Sequence, residues 1–160
     1  MNRLKWFTSV RVLFVGSLAM CLLGCQSEPP CSFEGEGLRA PSAGCLVVNQ
    51  GQVLLVEIPG GTYGPPGGST GTGESAQCAA ARETYEETGV IAKAGELAME
   101  FDNGFHLFWC ESMSGREITI ERPLEIMSAD WYTPEGFMQL RWRYPQQGLV
   151  VNELLKAKES

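Results

Sequence analysis

Residues 68–90, GSTGTGESAQCAAARETYEETGV, constrain this chain more than any other stretch. From Ala76 to Thr88 the segment is rich in Ala and Glu, lacks Gly and Pro, and is followed by Gly89. That pattern predicts a helix with a glycine just past its end. Glu83, Glu86 and Glu87 recur at helical spacing and share one face. Like charges placed this way repel and weaken the helix. Arg82, four residues before Glu86, can pair with it, but one guanidinium cannot neutralise three carboxylates. A solvated helix face is the bland alternative. Divalent cations are the functional one, because clustered carboxylate oxygens suit Mg²⁺ or Mn²⁺ rather than metals that prefer soft ligands. The glycine-rich run upstream carries no bulky side chain, so its backbone can closely approach a metal or a phosphate.

The spacing is as informative as the composition. Gly68 is followed after five residues by Glu74, and Glu74 after seven residues by Arg82-Glu83-Thr84-Tyr85-Glu86-Glu87-Thr88-Gly89-Val90. This resembles the Nudix box, GX5EX7REUXEEXGU with U aliphatic, and all seven of its fixed residues match. Thr84 departs from the pattern at an aliphatic position; its hydroxyl can bond back to a helix carbonyl. The PPGG run ending at Gly68 and DWYTPE from Asp130 resemble further segments of the family, and the likeness spans residues 44–156.

The resemblance implies an α/β/α sandwich with a mixed β-sheet. It implies hydrolysis of a diphosphate linkage in a nucleoside diphosphate derivative or a related compound. Glu83, Glu86 and Glu87 become helix ligands to Mg²⁺ or Mn²⁺, with the carbonyl of Gly68 nearby and Glu74 reaching the site through its loop. Arg82 orients the carboxylates. Family members often take the general base from outside the box, and Asp130 and Glu125 are the candidates here. The substrate is then a small-molecule diphosphate, and no motif chooses among envelope nucleotides, nucleotide sugars, dinucleoside polyphosphates and lipid-linked diphosphates. Two other readings stay open: a non-catalytic Nudix-fold lipoprotein that binds a nucleotide or a protein partner, and a lipoprotein using the fold structurally.

Independently of that likeness, the rest of the domain reads as strands mixed with a few helices, an α/β or α+β layered fold. Gly44–Ile58 suggests two short strands around an Asn-Gln-Gly turn, and the Pro- and Gly-rich residues 59–68 suggest loop. Val90–Glu100, Gly104–Glu111 and Glu117–Ile126 suggest strands. Thr133–Leu140 suggests a short helix capped by Thr133, and Gly148–Lys158 a closing helix.

The first 24 residues look like an export signal. A basic start, MNRLKWFTSVR, precedes an apolar run from Val12 to Leu23 that is too short to span a bilayer. The run ends in LLGC, Leu22–Cys25, which resembles a bacterial lipobox whose cysteine is diacylated and becomes the new N-terminus. Cleavage at another site, or an uncleaved anchor helix, are the alternatives. Gln26 in place of an aspartate points to the outer membrane, facing the periplasm. The domain organisation expected is a signal peptide over 1–24, a lipidated tether over 25–43 and a Nudix domain over 44–160. Without the signal, 9 basic residues face 19 acidic ones, a net charge of −10. A chain so acidic makes a poor nucleic-acid binder, and one that handles phosphates needs cations as intermediaries. Nothing in the sequence identifies a protein partner.

Four cysteines remain after Cys21 and Cys25: Cys31, Cys45, Cys78 and Cys110. An even number in an exported chain is compatible with disulfides, and proximity in sequence favours Cys31–Cys45. Buried free thiols at Cys78 and Cys110 are the alternative. With no CxxC pair and one histidine, His106, a zinc site is disfavoured. His106 itself reads as a strand residue. RWRY, Arg141–Tyr144, sets two guanidiniums beside two rings, which suits either a phosphate and base contact or a plain structural edge.

Overall fold

A computed structural model describes residues 29–159. The export signal and Cys25 lie outside the described residues. Among those described, no helix is long and apolar enough to cross a membrane.

The elements are β1 (Ser42–Asn49), β2 (Gln52–Ile58), β3 (Thr62–Gly64), β4 (Gly67–Ser69), α1 (Ala76–Thr88), β5 (Ala92–Glu100), β6 (Phe105–Ser112), β7 (Ser128–Tyr132), α2 (Pro134–Phe137) and α3 (Gln147–Glu159). The β1–β2 hairpin turns through Gln50 and Gly51, both at positive φ, as the expected Asn-Gln-Gly turn requires. The strands form a mixed sheet of order β3-β2-β1-β6-β5, with β1 and β6 parallel and the remaining pairs antiparallel. Alternation along the strands sorts the core into two layers. Cys45, Val47, Leu54 and Phe108 pack with the alanines of α1. Leu46, Val53, Leu55 and Leu107 pack with Phe137 and Val151 of α2 and α3. Helices on both sides of a mixed sheet make the expected α/β/α sandwich.

Two sequence expectations fail locally. Residues 59–68 are not all loop. Ser42–Gly44 of β1 pair with β4, whereas Val56–Ile58 of β2 pair with β3. Glycine-rich segments therefore become strands because neighbouring edges offer them partners. The consequence is a fork: β1 and β2 are paired at Val48–Val53 and Asn49–Gln52, then diverge as each takes a different short strand. The proposed strand Glu117–Ile126 is instead irregular. Pro123 lacks an amide hydrogen, and the chain turns there as Arg122 O accepts from Glu125 N at 3.0 Å and Ile126 N at 2.9 Å. The strand lies just beyond, as β7, paired along β2.

The disulfide expectation is also corrected. Cys31 bonds Cys78, and Cys45 bonds Cys110, so neither Cys31–Cys45 nor free thiols at Cys78 and Cys110 occur. Cys45 and Cys110 lie on the neighbouring strands β1 and β6 and belong to the same core layer, which brings their Cα atoms to 5.4 Å. Cys31 is carried instead to the start of α1. There Leu38 N donates to Gln77 Oε1 at 2.9 Å and Ala76 N to Leu38 O at 2.8 Å. The chain from Cys31 onward is thus stapled to the helix that bears the glutamates.

Candidate active site

Helix α1 is held at both ends. Ser75 caps its start, Oγ accepting from Cys78 N at 3.2 Å, and Gly89 ends it in the left-handed conformation, its amide donating to Tyr85 O at 2.7 Å. The departure from the box at Thr84 is satisfied as expected: its buried hydroxyl donates to Ala80 O at 2.7 Å.

This helix sets Glu87 and Glu83 against the chain at Gly67 and Gly68. Gly67 N donates to Glu87 Oε2 at 2.9 Å. A Cβ at Gly68 would stand 2.5 Å from Glu83 Cδ, so only glycine lets this carboxylate lie against the backbone there. Arg82 gathers the remaining acids. Its guanidinium donates to Glu74 through Nε and Nη2, each at 3.0 Å, to Glu83 Oε1 at 2.7 Å, to Glu86 Oε1 at 3.3 Å and to Ser69 O at 2.9 Å. Glu74, on the loop before the helix, also accepts from Gly71 N at 2.7 Å. Arg82 thus links Glu74, Glu83 and Glu86, while Glu87 is held separately by Gly67.

A cation that the sequence did not point to joins them. Arg122, from the irregular segment after β6, forms an ion pair with Glu86 Oε2 and another with Glu125 at 3.5 Å. Its segment alternates polar and apolar residues, which suggests a strand and gives no sign that Arg122 turns to the glutamates. Asp130 stays apart: it is exposed on β7 opposite Leu55, and its Oδ1 accepts from Trp131 N at 2.7 Å. Glu125, the other base candidate, is tied to the cluster through Arg122, which pairs with both Glu86 and Glu125.

The electrostatics follow from burial. Glu87 is 7% exposed, and burial pushes its carboxyl up to about 8; the Gly67 amide opposes this, and the charges of Glu83, Glu125 and Glu86 add to it. Burial likewise raises Glu83, against the pull of Arg82. Glu74 is held below the usual carboxylate range, chiefly by its hydrogen bonds from Arg82, and Arg82 is held firmly protonated by Glu74.

Among the described residues, no three acidic, histidine or cysteine side chains are gathered closely enough to hold an ion as they stand. The arginines occupy the carboxylates instead. The donor set nevertheless fits a hard divalent cation: it is all oxygen, it outnumbers its arginines, and Gly68 leaves room for a carboxylate against a backbone carbonyl.

Of the acids of the box, Glu87 lines a cavity of about 500 Å³ in the fork between β1 and β2. Glu87, Gly67 and Gly68 form one side, and the aromatic residues Phe101, Phe105 and Tyr144 line other parts. The RWRY run divides between the two roles foreseen for it. Trp142 is core, its Nε1 donating to Phe137 O at 2.9 Å, and Arg141 bonds Gly61 O at 3.3 Å. Arg143 and Tyr144 line the cavity. His106 is buried on β6 and lies outside the cavity wall.

Comparison with known proteins agrees with this architecture. The family model described as NUDIX domain matches residues 38–152. No curated protein matches the sequence. Among solved structures, a UDP-X diphosphatase superposes with a TM-score of 0.62 at 17% identity, over 78% of this chain and 66% of that one, just under two thirds of its length. An ADP-ribose pyrophosphatase from Streptococcus suis gives 0.60 at 16% identity, over 74% and 91%. A C. elegans Ap4A hydrolase gives 0.60 at 17% identity, over 74% and 97%. With the box complete, three of its four acids on one helix, and the family model covering most of the chain, this protein belongs to the Nudix family of hydrolases.

Proposed function

We propose that this protein hydrolyses the diphosphate linkage of a nucleoside diphosphate derivative or a related compound, with Mg²⁺ or Mn²⁺, at the cell envelope. The observation that carries the reading is the placement of Glu83 against Gly68 and of Glu87 against Gly67, with Glu87 lining a cavity large enough for a nucleotide. The three structural relatives, whose names specify a diphosphatase, a pyrophosphatase and an Ap4A hydrolase, support it.

Glu83, Glu86 and Glu87, with the Gly68 carbonyl and Glu74 beside them, would hold the divalent ions. Bound ions supply neutralisation of the diphosphate and a lowered pKa for the attacking water. Arg82 keeps Glu74, Glu83 and Glu86 in register while remaining charged itself. Glu125, linked to Glu86 through Arg122, would be the base that takes the proton from water, ahead of Asp130, whose Oδ1 accepts from Trp131 N. Lipid at Cys25 would hold the domain to the outer membrane on its periplasmic side, and the lipobox-like LLGC supports that placement.

The test is to incubate full-length protein with ADP-ribose, a UDP-sugar and diadenosine tetraphosphate, with Mg²⁺, with Mn²⁺ and with a chelator. Metal-dependent cleavage of at least one diphosphate, abolished in Glu87→Gln, is expected. Binding without cleavage under all conditions would instead favour a non-catalytic module.

A further inference from the structure

We infer that the Cys31–Cys78 bridge shortens the lipid anchor to the six residues from Cys25 to Cys31, and so seats the face around Pro30, Ile91 and Met113 on the lipid surface of the membrane. This rests on the reading of Cys25 as acylated. Cys78 lies in the first turn of α1, so the bridge fastens the chain directly to that helix. Without the bridge, the chain from Cys25 is held to α1 at Leu38, thirteen residues on, where Leu38 N donates to Gln77 Oε1.

Reach decides the orientation. An extended chain gains at most about 3.6 Å per residue, so the leash to Cys31 spans about 20 Å and the leash to Leu38 about 45 Å. A domain of this size is roughly 35 Å across. With the bridge closed, the leash is shorter than the domain is wide. The start of α1 then has to face the bilayer, and the α3 layer on the other side of the sheet cannot. With the bridge open, the longer leash exceeds the width and the constraint ends. Pro29 and Pro30 fix φ next to the bridge, which stiffens the short leash.

The surroundings of the fastening suit a lipid surface. Pro30 and Cys31 are exposed, and Pro29, Pro30, Cys31 and Ile91 border one small cavity. Ile91 is 39% and Met113 58% exposed, and the two are joined, Met113 N donating to Ile91 O at 2.8 Å. Apolar side chains so exposed are stabilised by entering the interface. Charge does not draw the domain there: without the first 24 residues, 9 basic residues face 19 acidic ones, and an anionic headgroup layer repels that balance. Two part-exposed side chains alone hold a face weakly, so the short leash decides. Glu74 and Arg82 line the same small cavity as the bridge, which puts the arginine that gathers the acids on the membrane side of the domain.

The test uses acylated protein from its native host in phosphatidylethanolamine–phosphatidylglycerol vesicles whose acyl chains carry bromine, a short-range quencher of tryptophan. Two variants each add a fluorophore at an exposed position, Met113→Trp beside the leash and Leu149→Trp on α3. The emission added by Met113→Trp should be quenched, and that added by Leu149→Trp should survive. Inserting about twelve Gly and Ser residues after Ser27 lengthens the leash without touching the bridge, and should restore the Met113→Trp emission. Opening the bridge by paired Cys31→Ser and Cys78→Ser should do the same. Vesicle-bound protein with equal quenching in the two variants, or Met113→Trp quenching untouched by both changes to the leash, would overturn the seating and leave the anchor intact. Protein that does not float with the vesicles would reject the acyl anchor, and the seating with it.

Discussion

The guanidinium of Arg122 rests against Oε2 of Glu86, tying the irregular segment after β6 to the buried face of α1. The contact is an ion pair without an aligned hydrogen bond, since that oxygen has no hydrogen-bond partner. Arg122 therefore stands where a divalent ion bound by Glu86 must compete with it. Arg122→Ala should tighten Mn²⁺ binding by a few-fold, the scale of a partly exposed ion pair, measured by electron paramagnetic resonance of free Mn²⁺. Weaker Mn²⁺ binding in the variant would mean that Arg122 supports the ligands rather than competing for them.

Glu86→Gln and Glu87→Gln should each lower diphosphate hydrolysis by about two orders of magnitude or more, because the ions that activate water would be lost. Glu87→Gln should leave the metal-free protein as stable or slightly more stable, since it relieves repulsion among buried like charges, whereas Glu86→Gln should be less stable because it also gives up the pairs with Arg82 and Arg122. Glu96→Gln, at an exposed position on β5, serves as the control with unchanged activity. Steady-state kinetics and thermal unfolding on the same preparations separate the two effects. Full activity in Glu87→Gln would remove it from the site.

The metal-free protein should lose stability as the pH rises from about 5 to about 8. Glu87 moves from an ordinary value of 4.5 up to about 8 on folding, so the fold favours its protonated form. That contribution is fully present below the unfolded value and is lost as the pH climbs through the folded one; each pH unit inside the window costs about 1.4 kcal/mol at most. Glu83 acts in the same direction. Glu74, held low by Arg82, contributes oppositely, its stabilisation vanishing only at the acid end. Melting temperatures across this range, with chelator, should slope downward in the wild type and flatten in Glu87→Gln. A flat wild-type profile would contradict the burial of Glu87.

Peptide mapping of unreduced protein should recover Cys31 linked to Cys78 and Cys45 linked to Cys110. The loops closed, 47 and 65 residues apart in sequence, correspond to stabilisation of about 4 kcal/mol each in the loop-entropy picture. Cys31→Ser should lower stability and also loosen the start of α1, because Cys31, Cys78, Glu74 and Arg82 border one small cavity. A Cys31–Cys45 peptide would contradict the fold.

Protein from its native host should begin at an acylated Cys25 and partition into detergent, and Cys25→Ser should abolish this. Intact Met1 on detergent-independent, soluble protein would exclude the anchor.

Helix α1, its glycine stop, its shared glutamate face and the β1–β2 hairpin were all legible in the sequence. Each depends on residues within a few positions of one another, where helical periodicity, turn chemistry and capping act directly. The spacing of Gly68, Glu74, Arg82 and the three glutamates carried the site for the same reason. The short strands β3 and β4 were illegible because their glycines have no strand propensity of their own; they pair only with edges left by β1 and β2. The pairings Cys31–Cys78 and Cys45–Cys110 follow from strand register and from where the chain before β1 is laid, not from nearness in sequence. Arg122 lies in a stretch whose alternation suggests a strand, and Gln147 just before the expected closing helix; only the folded path of the chain brings them to Glu86 and to the cavity. Local physics thus set what the glutamate helix is, and long-range packing alone decided what faces it.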